Sequence, residues 1–206
     1  SSPPGSFDDP RELLLYLLLG LVAVAAGLLF VEILTRVGQL KETYRFPDWT
    51  RPLAAGITVA AIGLLDDRAL GTGQSFISEL MRIGDSNSIG DLVWWTLPIL
   101  AIFKMVTNAL TRSGGGSAGT FMPSLFIGAT LGTALAIGIE PIWFHDLQPG
   151  SYAMVGMAAT FAAVARAPLT AIMMVFEITG NYALVLPLML AASLASFIAD
   201  RIHPDS

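Results

Sequence analysis

The apolar segments of this chain are of unequal length and are cut by prolines, glycines and single charges, an irregularity that few folds accommodate. Leu13 to Leu34 carries no charge before Glu32. Its roughly 20 residues at about 1.5 Å each just cover a hydrocarbon core of about 30 Å, which predicts a transmembrane helix. Asp91 to Leu110 is apolar but for Lys104 and has Trp94 and Trp95 near one end, which predicts a second span; Phe121 to Ile139 predicts a third. Leu53 to Leu65 is too short to cross unaided, and Tyr152 to Val164, Leu169 to Phe176 and Ala183 to Ala199 are uneven pieces punctuated by RAP and EITGNY. A bilayer core offers backbone polar groups no water, so irregular backbone survives there only when buried in protein or lining a cavity. The breaks therefore predict a compact bundle of discontinuous helices with interior polar sites, rather than a row of independent spans.

Composition points the same way. Of the 206 residues 54% are hydrophobic and 13% charged, and the mean hydropathy is +0.67, far above an ordinary soluble domain. A net charge of −5 argues against a nucleic-acid partner, and the lack of cysteine excludes disulfides and thiolate metal sites. No metal or cofactor is expected. Residues 1–10 are polar and acidic, without an initiator Met, and read as an extramembrane linker at the start of an excised fragment. After the first span Arg36, Lys41, Arg45 and Arg51 outnumber Glu42 and Asp48, whereas Asp8, Asp9 and Glu12 dominate before it, so the first helix is expected to start outside and end in the cytoplasm. The polar connection after Leu65 contains a short helix over about Gln74 to Ile83, and Trp143 and His145 mark an interface before the turn at Pro149 and Gly150. Gly128 and Gly132 form a GxxxG pair, and Ala158, Ala159, Ala162, Ala163, Ala191, Ala192 and Ala195 put flat surfaces on two later helices.

The chemistry concentrates in GGGSAGTFMPSLFIGATLG, Gly114 to Gly132. Glycines let the backbone turn with its amides exposed, and Pro123 suits the first turn of a helix, where a missing N–H costs nothing. Free N–H groups and the positive end of the helix dipole both favour an anion there. Arg112, just before the glycines, either attracts anions or snorkels to an interface, and Lys104 within an apolar helix reads first as a structural partner of a carboxylate or of free carbonyls. Gly115 to Gly119 also fits G-x-S-x-G, which would make Ser117 the nucleophile of an intramembrane hydrolase. That motif needs a preceding strand and a histidine base, and His145 and His203 both lie at segment ends. Arg166 and Glu177 stand at the wrong ends of a short apolar piece for its dipole, so each needs an ion pair or backbone cap elsewhere, or in the case of Glu177 a proton-relay role.

SGGGSAGTFMPSLFIGATLG, followed by GMAATFAAVARAPLTAIMMVFEITGNYALVLPLMLAASLA, resembles the second half of the CLC family of chloride channels and proton/chloride exchangers. Gly119, Phe121 and Pro123 meet the family pattern G-x-F-x-P, and GTGQSFI resembles its glycine-rich turn before a short helix. The likeness runs from about Leu13 to the end. It implies an all-α integral membrane fold, the second of two inverted-topology repeats, corresponding to the helices lettered J to Q, over the single region 1–206. It further implies transmembrane chloride transport without enzymatic activity, with chloride held by backbone amides at Gly119, Thr120, Phe121 and Met122. The expected partners are chloride, the lipid bilayer, a first repeat absent from this chain, and a second copy forming a homodimer through about residues 169–199. A prokaryotic plasma membrane is the expected location. Thr120 stands where the family commonly has Ile, and Met122 where a smaller residue is usual, so a fluoride-selective relative is the alternative within the class. The gating glutamate, the serine-bearing chloride motif and the tyrosine that closes the inner side have no counterparts in this chain.

Overall fold

The computed structural model describes residues 12–43, 50–66, 68, 70–83, 94–143 and 147–202. They form eight α-helices in the order α1 (Glu12–Thr43), α2 (Thr50–Leu65), α3 (Gln74–Met81), α4 (Thr96–Ser113), α5 (Phe121–Trp143), α6 (Pro149–Ala165), α7 (Pro168–Thr179) and α8 (Val185–Ile202), with a 3-10 turn, Tyr182–Leu184, before α8. His145 and His203 lie outside the described residues.

Helix lengths reproduce the unevenness of the sequence. Glu12–Gln39, Phe121–Glu140 and Tyr182–Ile202 are long and apolar enough to cross a membrane, whereas α2, α6 and α7 are shorter apolar helices. The second expected span is altered: α4 begins at Thr96 and is not among the crossing candidates, because its second half carries Lys104, Thr107, Asn108, Thr111 and Arg112. Residues 91–93 of that expectation fall outside the described residues. The short helix α3 ends at Met81, two residues before the expected limit.

The core is the α5–α6 pair, flanked by α1 and α8 on α6 and by α4 on α5. Small residues permit this. A Cβ added at Gly128 would run into the carbonyl of Gly156, and one at Gly132 into the carbonyl of Tyr152, so the GxxxG face is the surface on which α6 lies. Ala158, Ala159, Ala162 and Ala163 of α6 and Ala191, Ala192 and Ala195 of α8 are buried as expected, and α1 joins them through Gly20, packed on Ala191, and Gly27, packed on Ala163. Tyr16 of α1 stacks on Tyr152 of α6 with ring centroids 4.7 Å apart.

Each break has a local cause. Pro149 and Pro168 start α6 and α7, and Gly180 ends α7 in the left-handed region at φ 62°. Asn181 then caps the next turn, its side chain accepting from the Ala183 N–H at 3.0 Å. Arg166, at the end of α6, takes φ 54° without being glycine, and its guanidinium reaches Asp200 of α8 at 3.4 Å. Glu177 is exposed in the last turn of α7, and the ion pair expected of Arg166 is thus made with a residue 34 positions further on.

Candidate anion site

The turn between α4 and α5 divides its amides into two sets. Gly114, Gly115 and Gly116 donate back to the carbonyls of Leu110, Arg112 and Thr111 at 2.8, 3.2 and 2.9 Å, which closes the end of α4. The φ of 91° at Gly115 turns the chain so that the Gly116 N–H points back to Thr111. Beyond them the first bond of α5 runs from the Ser124 N–H to the Thr120 carbonyl at 3.1 Å. The N–H groups of Thr120, Phe121 and Met122 therefore have no backbone acceptor among the described residues, and Pro123, the next, has no N–H to satisfy. Helix starts of this kind carry partial positive charge without a full one.

A cavity of about 490 Å³ opens at this helix start. Ser117 to Gly119 with Phe121 to Pro123 form one wall, Lys104, Thr107, Asn108 and Thr111 of α4 another, and Leu70 to Thr72 with Val59 the remainder. Three of the four expected site residues thus share one cavity. Thr120 faces a second space of about 530 Å³ between α1, α4 and α6, which it shares with Arg112, Thr35 and Gln39. Phe121 is held from behind by Phe161 of α6, edge to face with centroids 5.2 Å apart.

Lys104 is buried on the cavity wall. Its ammonium donates to the Gly71 carbonyl at 2.6 Å and sits 5.0 Å from the centroid of the Phe126 ring, so a carbonyl and an aromatic face accept the charge, in line with the structural role expected. The same contact fixes the Gly71 to Gly73 turn before α3, where Gly71 and Gly73 both have positive φ and a Cβ at Gly73 would strike Phe126. Ser117 lies exposed in the irregular segment after α4, with a helix rather than a strand before it, so the local geometry of a nucleophile elbow is absent.

Sequence reasoning passed over Thr107, Asn108 and Thr111 as site residues. The signal was present: with Lys104 they recur at helical spacing on one face, a polar stripe in an otherwise apolar segment.

These features define a class of protein: a helical membrane protein whose helices break within the bundle, one of them starting beside a cavity with backbone amides that have no acceptor among the described residues. The profile of the voltage gated chloride channel family matches residues 5–200, and the chain belongs to that family. It is 35% identical to a putative chloride channel protein ClcB-like of Ralstonia nicotianae over 195 residues, which is 92% of this chain and 43% of the relative. It is 33% identical to chloride channel protein CLC-f of Arabidopsis thaliana over 95% of this chain and 26% of the relative. To the H(+)/Cl(-) exchange transporter ClcA of Yersinia pestis the identity is 32%, over 94% of this chain and 40% of the relative.

Among solved structures, a slow cyanobacterial Cl-/H+ antiporter is matched with a TM-score of 0.75 and 25% identity, over 100% of this chain and 48% of that one. A eukaryotic CLC transporter is matched with a TM-score of 0.78 at 24% identity, over 94% and 34% of the two chains. A CLC-type fluoride/proton antiporter gives 0.76 at 22%, over 97% and 47%. The last two likenesses concern the fold alone. The chain spans less than half the length of each of these relatives and has the architecture of one half of a CLC protein.

Proposed function

We propose that this chain is the second, C-terminal inverted repeat of a transmembrane chloride transporter and forms one wall of its anion path. The observation that carries the reading is the start of α5, where the N–H groups of Thr120, Phe121 and Met122 have no acceptor among the described residues and the helix opens on an interior cavity. Chloride exchanges part of its hydration shell for such N–H dipoles, and ligands without full charge release it again. Gly119, Thr120, Phe121 and Met122 are the proposed chloride contacts. A first repeat supplies the opposite wall, and no cofactor takes part.

A homodimer is proposed through about residues 169–199. Leu169, Met173, Leu186, Met189 and Phe197 form exposed apolar surface on α7 and α8, as a contact between two copies inside a membrane requires. A prokaryotic plasma membrane is the proposed location. The test is ion flux by the complete gene product in liposomes loaded with chloride, with pH recorded at the same time. Chloride efflux is expected, with proton counter-movement if transport is coupled. Absence of chloride flux, or flux confined to fluoride, would overturn the reading.

A further inference from the structure

The side chains of α4 on the cavity wall differ in how they use their donors. Lys104 donates to the Gly71 carbonyl at 2.6 Å, Thr107 to the Lys104 carbonyl at 3.2 Å, and Thr111 to the Thr107 carbonyl at 2.7 Å. Each of these three groups is anchored inside the protein. Asn108, between them in sequence and lining the same cavity, is not: its Nδ2 is buried and has no hydrogen-bond partner among the described residues. Buried amide groups are almost always paired, so an orphaned donor calls for an explanation at that place in the fold.

The cavity supplies one. The last torsion of an asparagine is soft, and the two ends of its amide are nearly equal in size. Asn108 and the trio Gly119, Phe121 and Met122 line the same space, and a rotation about that torsion brings the NH2 group to the place of the carbonyl oxygen. There it offers two N–H donors with a dipole and no net charge, the same ligand chemistry as the backbone amides at the start of α5.

We infer that Asn108 is a side-chain ligand and selectivity determinant of the anion path, donating from α4 to a small monovalent anion that the amides of α5 contact from the opposite wall. The inference rests on the anion-transport reading above and extends it to a residue outside the glycine-rich turn. Donors from two walls set a fixed gap. A spherical halide and a flat oxyanion such as nitrate fill that gap differently, so the side chain discriminates between them.

The experiment uses the complete gene product, with chloride and nitrate binding measured by titration calorimetry and flux measured in liposomes. Asn108→Leu keeps the approximate size and removes the donors; Asn108→Asp leaves only acceptors and adds a negative charge. The leucine variant is expected to bind chloride about ten- to a hundredfold more weakly, which is the scale of losing one hydrogen bond to a charged group, and the aspartate variant more weakly still. The leucine variant is also expected to shift the chloride-to-nitrate preference by about threefold or more at an unchanged melting temperature. The inference is overturned if both variants bind both anions as the wild type does. It is equally overturned if both lose all anions alike together with thermal stability, or if neither folds, since the amide would then serve packing alone. A wild type that neither binds nor moves chloride brings down the transport reading itself, and this inference with it.

Discussion

Lys104 and Gly71 are joined by a 2.6 Å hydrogen bond from an ammonium on α4 to a backbone carbonyl in the turn before α3. A lysine that reads in sequence as an isolated charge in an apolar helix is thus the strut between α4 and the turn before α3. Replacement by Met keeps the stem and removes the charge. Lys104→Met is expected to lower stability by about 1 to 3 kcal/mol, the cost of leaving a carbonyl without its charged donor. Thermal unfolding of the purified protein in detergent measures this, and an unchanged melting temperature would mean that the bond carries no net stability.

The α5–α6 crossing has no room for side chains at its closest points. Gly128→Ala and Gly132→Ala each drive a Cβ into a facing carbonyl and are expected to destabilise by about 1 to 3 kcal/mol or to prevent folding. Gly38→Ala on α1 is the control. A Cβ there meets nothing within 4 Å, and the substitution is expected to be neutral or to add up to about 1 kcal/mol through helix propensity. Melting temperatures of the three variants side by side decide the matter.

Arg166 combines a left-handed backbone with an ion pair, and two substitutions separate the contributions. Arg166→Gly loses the contact with Asp200 but adopts φ 54° freely, whereas Arg166→Ala loses the contact and keeps the steric cost. The glycine variant is expected to be the more stable of the two by about 1 to 2 kcal/mol. An alanine variant as stable as the glycine one would show that the backbone relaxes at this position.

Phe121 lines the cavity, has an N–H without a backbone acceptor among the described residues, and sets its ring against Phe161. Phe121→Ala leaves the amide in place, so chloride affinity is expected to stay within about threefold while the transport rate changes, because the edge-to-face contact behind the turn is lost. Calorimetry and flux on the same preparation distinguish the two effects. Loss of binding with the fold intact would contradict a backbone ligand.

Much of the fold is legible in the chain because its signals are local, although α1 runs on to Thr43, nine residues past the expected Leu34, and takes in Arg36 and Lys41, both expected in the loop after it. Proline at a helix start, glycine at a helix end and the length of an apolar run are all set within a turn or two, and α3, α5, α6 and α7 fall close to where those signals put them. The Gly128 and Gly132 face was readable as a packing surface for a similar reason, its period being that of a helix. What the sequence hides is partnership across distance. Nothing near Arg166 announces Asp200, and nothing near Lys104 announces Gly71. Gly20 and Gly27 of α1 look like ordinary small residues until Ala191 and Ala163 are brought against them. The site was half legible. The glycine-rich turn marks the amides, but Thr120 looks to the far side of the turn from its three neighbours, and the helix start alone does not say which residues share a cavity.

The backbone contact of Gly128 with Gly156 also fixes which parts of the molecule can move. Two helices that touch through their main chains cannot slide or roll past each other without steric clash, so α5 and α6 act as one rigid body below the turn. Displacement at the start of α5 is left to Ser117 to Thr120, beyond the three glycines whose N–H groups are tied to the end of α4. Motion, in other words, is geared to the loop and not to the helix.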